Sequence, residues 1–323
     1  MSLLLASFIP LLICSCSDNS ASEGKDGDKL SVVTTIFPYY DFARNLSGEC
    51  ADVKMLLSPG SEPHSYEPSP SDIVAIENCD IFIYNGGESD EWVDKVLGSV
   101  DNKNIKVMKM MDYVPLLREQ GVRQSDEQDD NASEDHDHGS ESEHDHSDEY
   151  DEHIWTSVKN AQMLSEEIYN VLVSCDGENE SVYTENKDRY ISKLQKLDTE
   201  INDVVKNAKR NTAVFGDRFP FLYFATDYSL DCYAVFPGCS SETEPSISAV
   251  THMIDFVRDN CVPVVFYLEF SNGKTAQLIS EDTGAKTLRF TSCHNITKEE
   301  FENGETYISL MEQNKAALKE ALN

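Results

Sequence analysis

The sequence predicts an α/β protein of two lobes, each a mainly parallel four-stranded sheet flanked by helices, joined by one long helix. Short runs rich in Val, Ile and Phe alternate with amphipathic stretches, and this series occurs twice along the chain. Such alternation is typical of parallel strands with crossover helices. A single amphipathic stretch at 181–210 separates the two series. The length of 323 residues is also sufficient for about two domains.

The first 29 residues are expected to precede the folded lobes. Residues 1–16 have the layout of a signal peptide, because the apolar run at 3–13 is too short to span a bilayer of about 30 Å. ICSC at 13–16 resembles a bacterial lipobox with Cys16 as the lipidated residue. Residues 17–29 are rich in Ser, Gly, Asp and Lys, as in a flexible tether. We therefore expect an extracytoplasmic protein that is lipid-anchored to the cell envelope.

The N-terminal lobe is predicted to span residues 30–178. Its β-rich runs and the amphipathic stretches around them predict strands at 31–37, 52–57, 80–86 and 104–110 and helices at 38–47, 70–78, 90–98 and 155–173. An acidic, His-rich segment at 125–152 interrupts this order. This segment is too polar to bury a core, and we predict a mobile loop.

The linking helix is predicted at 179–210, because its apolar positions recur at alternating steps of three and four residues. These positions are Tyr190, Leu194, Leu197, Ile201, Val204 and Ala208. They form one stripe on a helix about 45 Å long. The C-terminal lobe at 211–323 then repeats the first, with strands at 212–216, 230–236, 262–270 and 285–290 and helices at 219–227, 246–260, 272–283 and 302–321.

Composition excludes several classes of function. The formal net charge of −33 argues against a nucleic-acid partner, which needs Lys and Arg patches, and favours the attraction of cations. None of the nine cysteines forms a CxxC pair, which argues against a zinc ribbon or a thioredoxin-type redox site. HExxH and GxSxG, two common hydrolase motifs, are also missing from the sequence.

Polar residues that follow predicted strands mark the candidate site, because ligands bind beyond the carboxyl ends of parallel strands. The candidates are His64 after the second strand, Asp217 after the fifth, Glu269 at the end of the seventh, His294 after the eighth, and His153 where the acidic loop meets the next helix. Three imidazoles and one carboxylate suit tetrahedral Zn²⁺. His252 lies on a predicted helix and is interpreted as structural.

The acidic loop carries four more histidines, His136, His138, His144 and His146. A metal ion bound there has to order a flexible segment, which weakens binding. We expect weak capture of several ions in this loop, which would supply or sense a tighter site between the lobes. The alternative is a solvated acidic run with no metal role.

Three segments resemble the zinc/manganese substrate-binding proteins of bacterial ABC importers. They are PGSEPHSYEPSPSDI at 59–73, DEHIWTSVKNA at 151–161 and SETEPSISAVTHMIDFVRDNCVPVVFYLE at 241–269. The resemblance runs from about residue 30 to the C-terminus and includes the His-rich insert. It implies two α/β lobes joined by a rigid helix, with the metal between them, and delivery of zinc to an ABC permease by a protein that is not an enzyme and is monomeric.

The resemblance places the family's first two ligands at His64 and His153. At the third ligand position this chain has GDRFPF, so Asp217 is the nearest candidate, with Glu269 as the alternative carboxylate. At the fourth position, where the family usually has Asp, the chain has TSCHN, so His294 is the substitute. Cys239 and Cys293 also follow strands, and we favour a disulfide between them over thiolate ligation.

Three alternatives stay open from the sequence. Manganese would be favoured over zinc if the ligands were two histidines and two carboxylates, which are harder donors. A zinc hydrolase with Glu269 as general base is an alternative of another class. A surface metal buffer or adhesin that works through the acidic loop is the third. For imidazole ligands, binding is expected to fail as the pH falls through about 6.5.

Overall fold

The computed structural model of the chain describes residues 29–119, 150–236 and 245–323. It contains two sheets of four strands each, and every strand pair in them is parallel. The strands are β1 Leu30–Thr34, β2 Ala51–Met55, β3 Ile81–Tyr84, β4 Lys106–Lys109, β5 Thr212–Phe215, β6 Asp231–Ala234, β7 Val264–Tyr267 and β8 Lys286–Arg289. The predicted fold class is therefore confirmed. We call the parts built on β1–β4 and β5–β8 the N-terminal and C-terminal lobes.

The two sheets have the same strand order, β2-β1-β3-β4 and β6-β5-β7-β8. In each lobe the chain moves outward from the first strand to the second and then crosses back to the other side of the first. This reversal creates a crevice at the carboxyl ends of the strands. The two crevices face each other across the junction of the lobes, where side chains from both line one cavity.

Ten α-helices surround the sheets in the described part of the chain. They are α1 Phe37–Ser47, α2 Pro70–Glu77, α3 Trp92–Ser99, α4 Val158–Cys175, α5 Glu180–Lys206, α6 Leu222–Tyr228, α7 Ile247–Asp259, α8 Lys274–Thr283, α9 Lys298–Glu302 and α10 Tyr307–Ala321. The predicted long helix is α5, whose 27 residues span about 40 Å. It ends at Lys206, so Ala208 of the predicted stripe lies beyond it.

The single C-terminal helix predicted at 302–321 is instead two helices, α9 and α10. Thr297 and Thr306 each form a capping box at the start of one of them. Gly304 lies between the helices with φ of 76°, a left-handed conformation that suits glycine. Two good start signals and a glycine within ten residues break the helical pattern that the apolar positions alone suggest.

Alternate residues of the central strands face two different cores. On β1 and β5, Val33 and Val214 point to cores private to their lobes, under α2 and α3 or under α7 and α8. Their neighbours Val32 and Phe215 point to the opposite face, where both sheets contribute to one continuous core. The period of two along each strand therefore gives every lobe its own core and a share in a common one.

The common core holds a buried carboxylate that joins three helices. Asp41 of α1 is fully buried and accepts hydrogen bonds from the Tyr190 hydroxyl of α5 at 3.2 Å and from the Tyr307 backbone N–H of α10 at 3.1 Å. Burial raises the pKa of Asp41, while Arg44, whose Nη2 lies 3.1 Å from Oδ1, opposes that rise. The Phe42 and Tyr307 rings meet edge to face beside it, 5.0 Å apart. The two lobes are thus packed together as one body behind the crevice.

Several sequence expectations lie outside the described residues. They are the signal peptide with Cys16, the tether before residue 29, the four histidines at 136–146, and Cys239. The Cys239–Cys293 disulfide stays a prediction for this reason; Cys293 itself is fully buried. Within the described ranges, no helix has both the length and the apolar character needed to cross a bilayer.

We predict that Gly216→Ala destabilises the C-terminal lobe. A Cβ at this position would lie 2.6 Å from the Cα of Ala276 on α8, so the helix has to move away from β5. The free energy of unfolding should fall by about 1–3 kcal/mol, as measured by urea denaturation. Gly98→Ala on α3 is the matched control, since its Cβ would meet nothing within 4 Å and should stabilise the helix by up to about 1 kcal/mol. Equal effects of the two changes would contradict this packing argument.

Candidate metal centre

Loops at the carboxyl ends of the strands place the three predicted histidines. His64 lies on a 3-10 turn, Pro63–Ser65, between β2 and α2. Pro63 at the start of the turn fixes the backbone there. His153 precedes another 3-10 turn, Ile154–Thr156, which leads to α4. His294 follows β8, so each lobe supplies part of the site.

The imidazoles of His64, His153 and His294 meet across the junction of the lobes. One nitrogen from each ring lies within 4.8 Å of the others. The ring centroids are 5.9 Å apart for His64 and His153, 5.2 Å for His64 and His294, and 5.7 Å for His153 and His294. Tetrahedral zinc with Zn–N bonds of 2.0–2.1 Å needs nitrogens about 3.3 Å apart. Small ring movements therefore suffice for the three to share one ion.

The three rings differ in their access to solvent. His153 and His294 are 2% and 5% exposed, whereas the His64 side chain is 29% exposed. The indole of Trp155 covers His294, with ring centroids 4.6 Å apart. Two of the three candidate ligands are therefore buried, and His64 is the one that is accessible from solvent.

Hydrogen bonds between the lobes hold the His294 loop against the His64 loop. The amide of Asn295 donates to the carbonyls of Ser58 and Ser61, at 2.9 Å each. The Gly60 N–H donates to the Ile296 carbonyl at 2.8 Å. Asn295 itself is fully buried, so its two hydrogen bonds are partly protected from solvent. The spacing of the histidines thus depends on backbone contacts between the lobes.

A carboxylate determines which nitrogen of His153 faces the cavity. Asp151 Oδ1 accepts from the His153 backbone N–H at 2.8 Å and lies 3.2 Å from His153 Nδ1. A carboxylate only accepts, so Nδ1 of His153 carries a proton. The sequence analysis missed this residue, although Asp151 precedes the histidine by only two positions.

The structure does not bring either predicted carboxylate into the group of three histidines. Asp217 and Glu269 line the same cavity, which has a volume of about 230 Å³. Asp217 is 8% exposed and accepts from the backbone N–H groups of Arg218 at 2.9 Å and Leu268 at 3.3 Å. Glu269 accepts from the Ser292 N–H at 2.9 Å and hydroxyl at 2.7 Å. Both carboxylates already have partners on the cavity wall.

A positive side chain also lines the cavity. Arg218 Nη1 lies 3.8 Å from Glu62 Oε1, so the C-terminal and N-terminal lobes face each other across the opening through an ion pair. Both side chains are partly exposed, so the pair contributes little to stability. The positive charge of Arg218 helps to lower the pKa of His64.

Burial favours the neutral form of two imidazoles, those of His64 and His294. The pKa of His64 is lowered from 6.5 to about 4, first by burial and then by the positive charges of His153 and Arg218. The pKa of His294 is lowered well below 6.5, by burial and by the two other histidines. A neutral imidazole is the form that binds metal. The site is therefore ready for a cation at neutral pH.

Two further residues that sequence reasoning missed lie beside His64. They are Ser89, on the loop after β3, and Glu152, directly before His153. Ligands bind beyond the carboxyl ends of parallel strands, and this rule also points to the end of β3, where the sequence is NGGESD at 85–90. His252, interpreted as structural, lies exposed on α7 and is not part of the group.

Comparison with known proteins agrees with this architecture. Residues 32–321 match the model of the ZnuA family, described as zinc-uptake complex component A, periplasmic. The chain belongs to this family. The match covers both lobes, the linking helix and all three histidines. The description is that of a transport component rather than an enzyme.

Curated relatives extend this finding. The chain is 33% identical over 320 residues to the zinc-binding lipoprotein AdcA of Streptococcus pneumoniae, covering 99% of this chain but 60% of that protein. It therefore spans about three fifths of the AdcA length. It is 31% identical to the high-affinity zinc uptake system protein ZnuA of Bacillus subtilis, covering 99% of this chain and 96% of the relative.

A solved structure shows the same fold. The Zn(II)-bound ZnuA-like domain of Streptococcus pneumoniae AdcA superposes with a TM-score of 0.73 at 30% identity. The superposition covers 91% of this chain and 99% of that domain. The similarity therefore extends over the whole ZnuA-like domain and includes both lobes.

The lowered pKa values of His64 and His294 predict that metal binding at these two residues persists below pH 6.5. Protons compete with the metal at His64 only as the pH approaches about 4, because the neutral form is favoured above that value. The sequence alone places this loss near 6.5. Zinc affinity measured by competition with a chelator should fall by less than tenfold between pH 7 and 5.5. A loss that follows an ordinary imidazole titration with a midpoint at 6.5 would contradict the prediction.

Proposed function

We propose that this protein binds zinc outside the cytoplasm, through His64, His153 and His294, and delivers it to an ABC permease. The observation that carries the proposal is the meeting of three imidazoles from two lobes within 4.8 Å. The names of the relatives, a zinc-binding lipoprotein and a zinc uptake protein, support the same conclusion. A lipid anchor at Cys16 and a monomeric protein are part of this proposal.

The donor set favours zinc over manganese. Three neutral imidazoles are borderline donors that suit Zn²⁺, whereas Mn²⁺ prefers oxygen ligands. The two carboxylates on the cavity wall, Asp217 and Glu269, are held by backbone and hydroxyl donors. One of them has to leave these partners to become the fourth ligand, and we propose Asp217, with Glu269 as the alternative.

Capture and release follow from the positions of the three rings. The negative field of the chain raises the local concentration of cations, and His64 is the exposed ligand that an ion reaches first. The ion then exchanges bound water molecules for the nitrogens of the buried rings of His153 and His294. Release to the permease requires the reverse movement, and displacement of the His64 loop is sufficient to remove one ligand.

We predict that His294→Ala lowers zinc affinity at least a hundredfold, because one of the two buried ligands is lost and, among the described residues, only His64 and His153 share the group. Manganese affinity should change little. Isothermal titration of metal-free protein gives both constants. His252→Ala on the exposed face of α7 is the matched control and should bind zinc as the unchanged protein does.

The same experiment distinguishes the alternatives. A stoichiometry of one tight zinc ion per chain that disappears in His294→Ala supports the proposal. Unchanged zinc affinity in that variant would exclude the three-histidine site. Tighter binding of manganese than of zinc by the unchanged protein would favour a manganese carrier of the same class.

The His-rich segment is proposed to add weak sites to the tight one. Deleting residues 125–149 leaves the bridge between Arg118 and Tyr150 in place. We predict that the deletion removes weak binding events from the zinc titration and leaves the tightest one unchanged. Loss of the tightest event would move the main site into the deleted segment and overturn the assignment to the three histidines.

A further inference from the structure

The loop that follows β3 lies against the metal centre. Its six residues, Asn85 to Asp90, read NGGESD. Ser89 Oγ lies 3.2 Å from Nδ1 of His64, the most exposed of the three ligands. The carboxylate of Glu152 holds the same serine: Oε1 accepts from the hydroxyl at 2.5 Å and Oε2 from the backbone N–H at 3.1 Å. A continuous chain of hydrogen bonds therefore joins Glu152 to His64.

The directions of these hydrogen bonds assign the proton on His64. The Ser89 hydroxyl has one proton, and it is donated to Glu152, since a carboxylate only accepts. Ser89 Oγ can then only accept from His64, so Nδ1 of that ring is the protonated nitrogen. Nε2 is left with its lone pair for the metal.

The loop is built to bring Glu152 this close. Gly87 has φ of 81°, and a Cβ there would lie 2.7 Å from Glu152 Oε2. The Asn85 side chain donates to the Glu152 carbonyl at 2.9 Å. Asp90 is 8% exposed and accepts from the N–H groups of Asn85 at 2.8 Å and Gly86 at 3.0 Å, which closes the loop on itself. Gly87 thus leaves room for the carboxylate of Glu152, and the internal hydrogen bonds fix the loop around it.

We propose that Ser89 and Glu152 are positioning residues that hold His64 in its Nδ1–H tautomer and orient Nε2 toward the metal. This inference rests on the proposed zinc site and deepens it. Glu152 adjoins His153, so one short segment orients two ligands: Asp151 acts on His153, and Glu152 acts through Ser89 on His64. The exposed ligand is thereby pre-oriented before the ion arrives.

The test measures tautomer and affinity separately. In metal-free protein at pH 7, the ¹⁵N shifts of His64 should report protonated Nδ1, and Ser89→Ala should give a mixture of tautomers. Zinc Kd, measured by competition with a chromophoric chelator, should rise about 10- to 100-fold in Ser89→Ala. Ser89→Thr keeps the hydroxyl and should restore both readouts. Glu152→Gln, with one acceptor oxygen in place of two, should resemble Ser89→Ala.

Matched controls lie on the surface away from the site. Ser174→Ala and Glu178→Gln make the same chemical changes at exposed positions and should alter neither readout. The inference is overturned if His64 carries its proton on Nε2 in the unchanged protein. It is also overturned if Ser89→Ala leaves the tautomer unchanged, whatever happens to Kd, or shifts it while Kd stays within twofold.

Failure of the zinc site itself is a separate result. If the unchanged protein does not bind zinc, the proposed function fails. The ¹⁵N measurement needs no metal, so it still decides whether Ser89 and Glu152 control the tautomer of His64.

Discussion

The core shared by the two lobes is the constraint on which the metal centre depends. Helices α1, α5 and α10 meet at the buried carboxylate of Asp41, which accepts from Tyr190 and Tyr307. Trp155, two residues after His153, donates its indole N–H to the Ser292 carbonyl at 2.9 Å and accepts from the Tyr307 hydroxyl at 2.7 Å through its own carbonyl. Separating the lobes would expose these aromatic residues and leave buried polar groups without partners, which is costly. The crevice therefore has a fixed back wall.

This fixed wall limits how the site can respond to an ion. Trp155 and Ser292 each lie two residues from one of the buried histidines, His153 and His294, and are joined by a hydrogen bond. This bond links both histidine segments to the packed interior. His64 lies on a short turn, and its side chain is partly exposed. Its ring contacts Ser89, which we propose orients it. Movement on binding is therefore expected in the His64 loop and in the ring angles, with little change in the distance between the sheets. In the proposed function, two rigid ligands and one adjustable ligand combine tight coordination with release.

The sequence predicted the eight strands and the long helix well, because short runs rich in Val, Ile and Phe and a helical period of about 3.6 are local properties of the chain. His64 and His294 were found by one topological rule, that ligands lie after parallel strands. His153 was found by its place where the acidic loop meets a helix and by the resemblance to a family. The carboxylates could not be ranked in the same way. Whether Asp217 faces an ion or a backbone N–H depends on where Leu268 lies, 51 positions later. The role of Ser89 depends likewise on Glu152, 63 positions away, and no local pattern encodes such distances.

The charge that attracts cations to the protein is distinct from the donor groups at the cavity that discriminate between them. The chain has a net charge of −33, yet each carboxylate at the cavity whose contacts are described above is held by amide, hydroxyl or guanidinium donors. Arg218 adds a positive charge beside the three imidazoles and helps to lower the pKa of His64. A hard cation that depends on oxygen ligands gains little in such a cavity, whereas an ion that binds imidazole nitrogen gains three strong bonds. In the proposed function, the long-range acidic field collects cations of every kind, and the three imidazoles retain those with the chemistry of zinc.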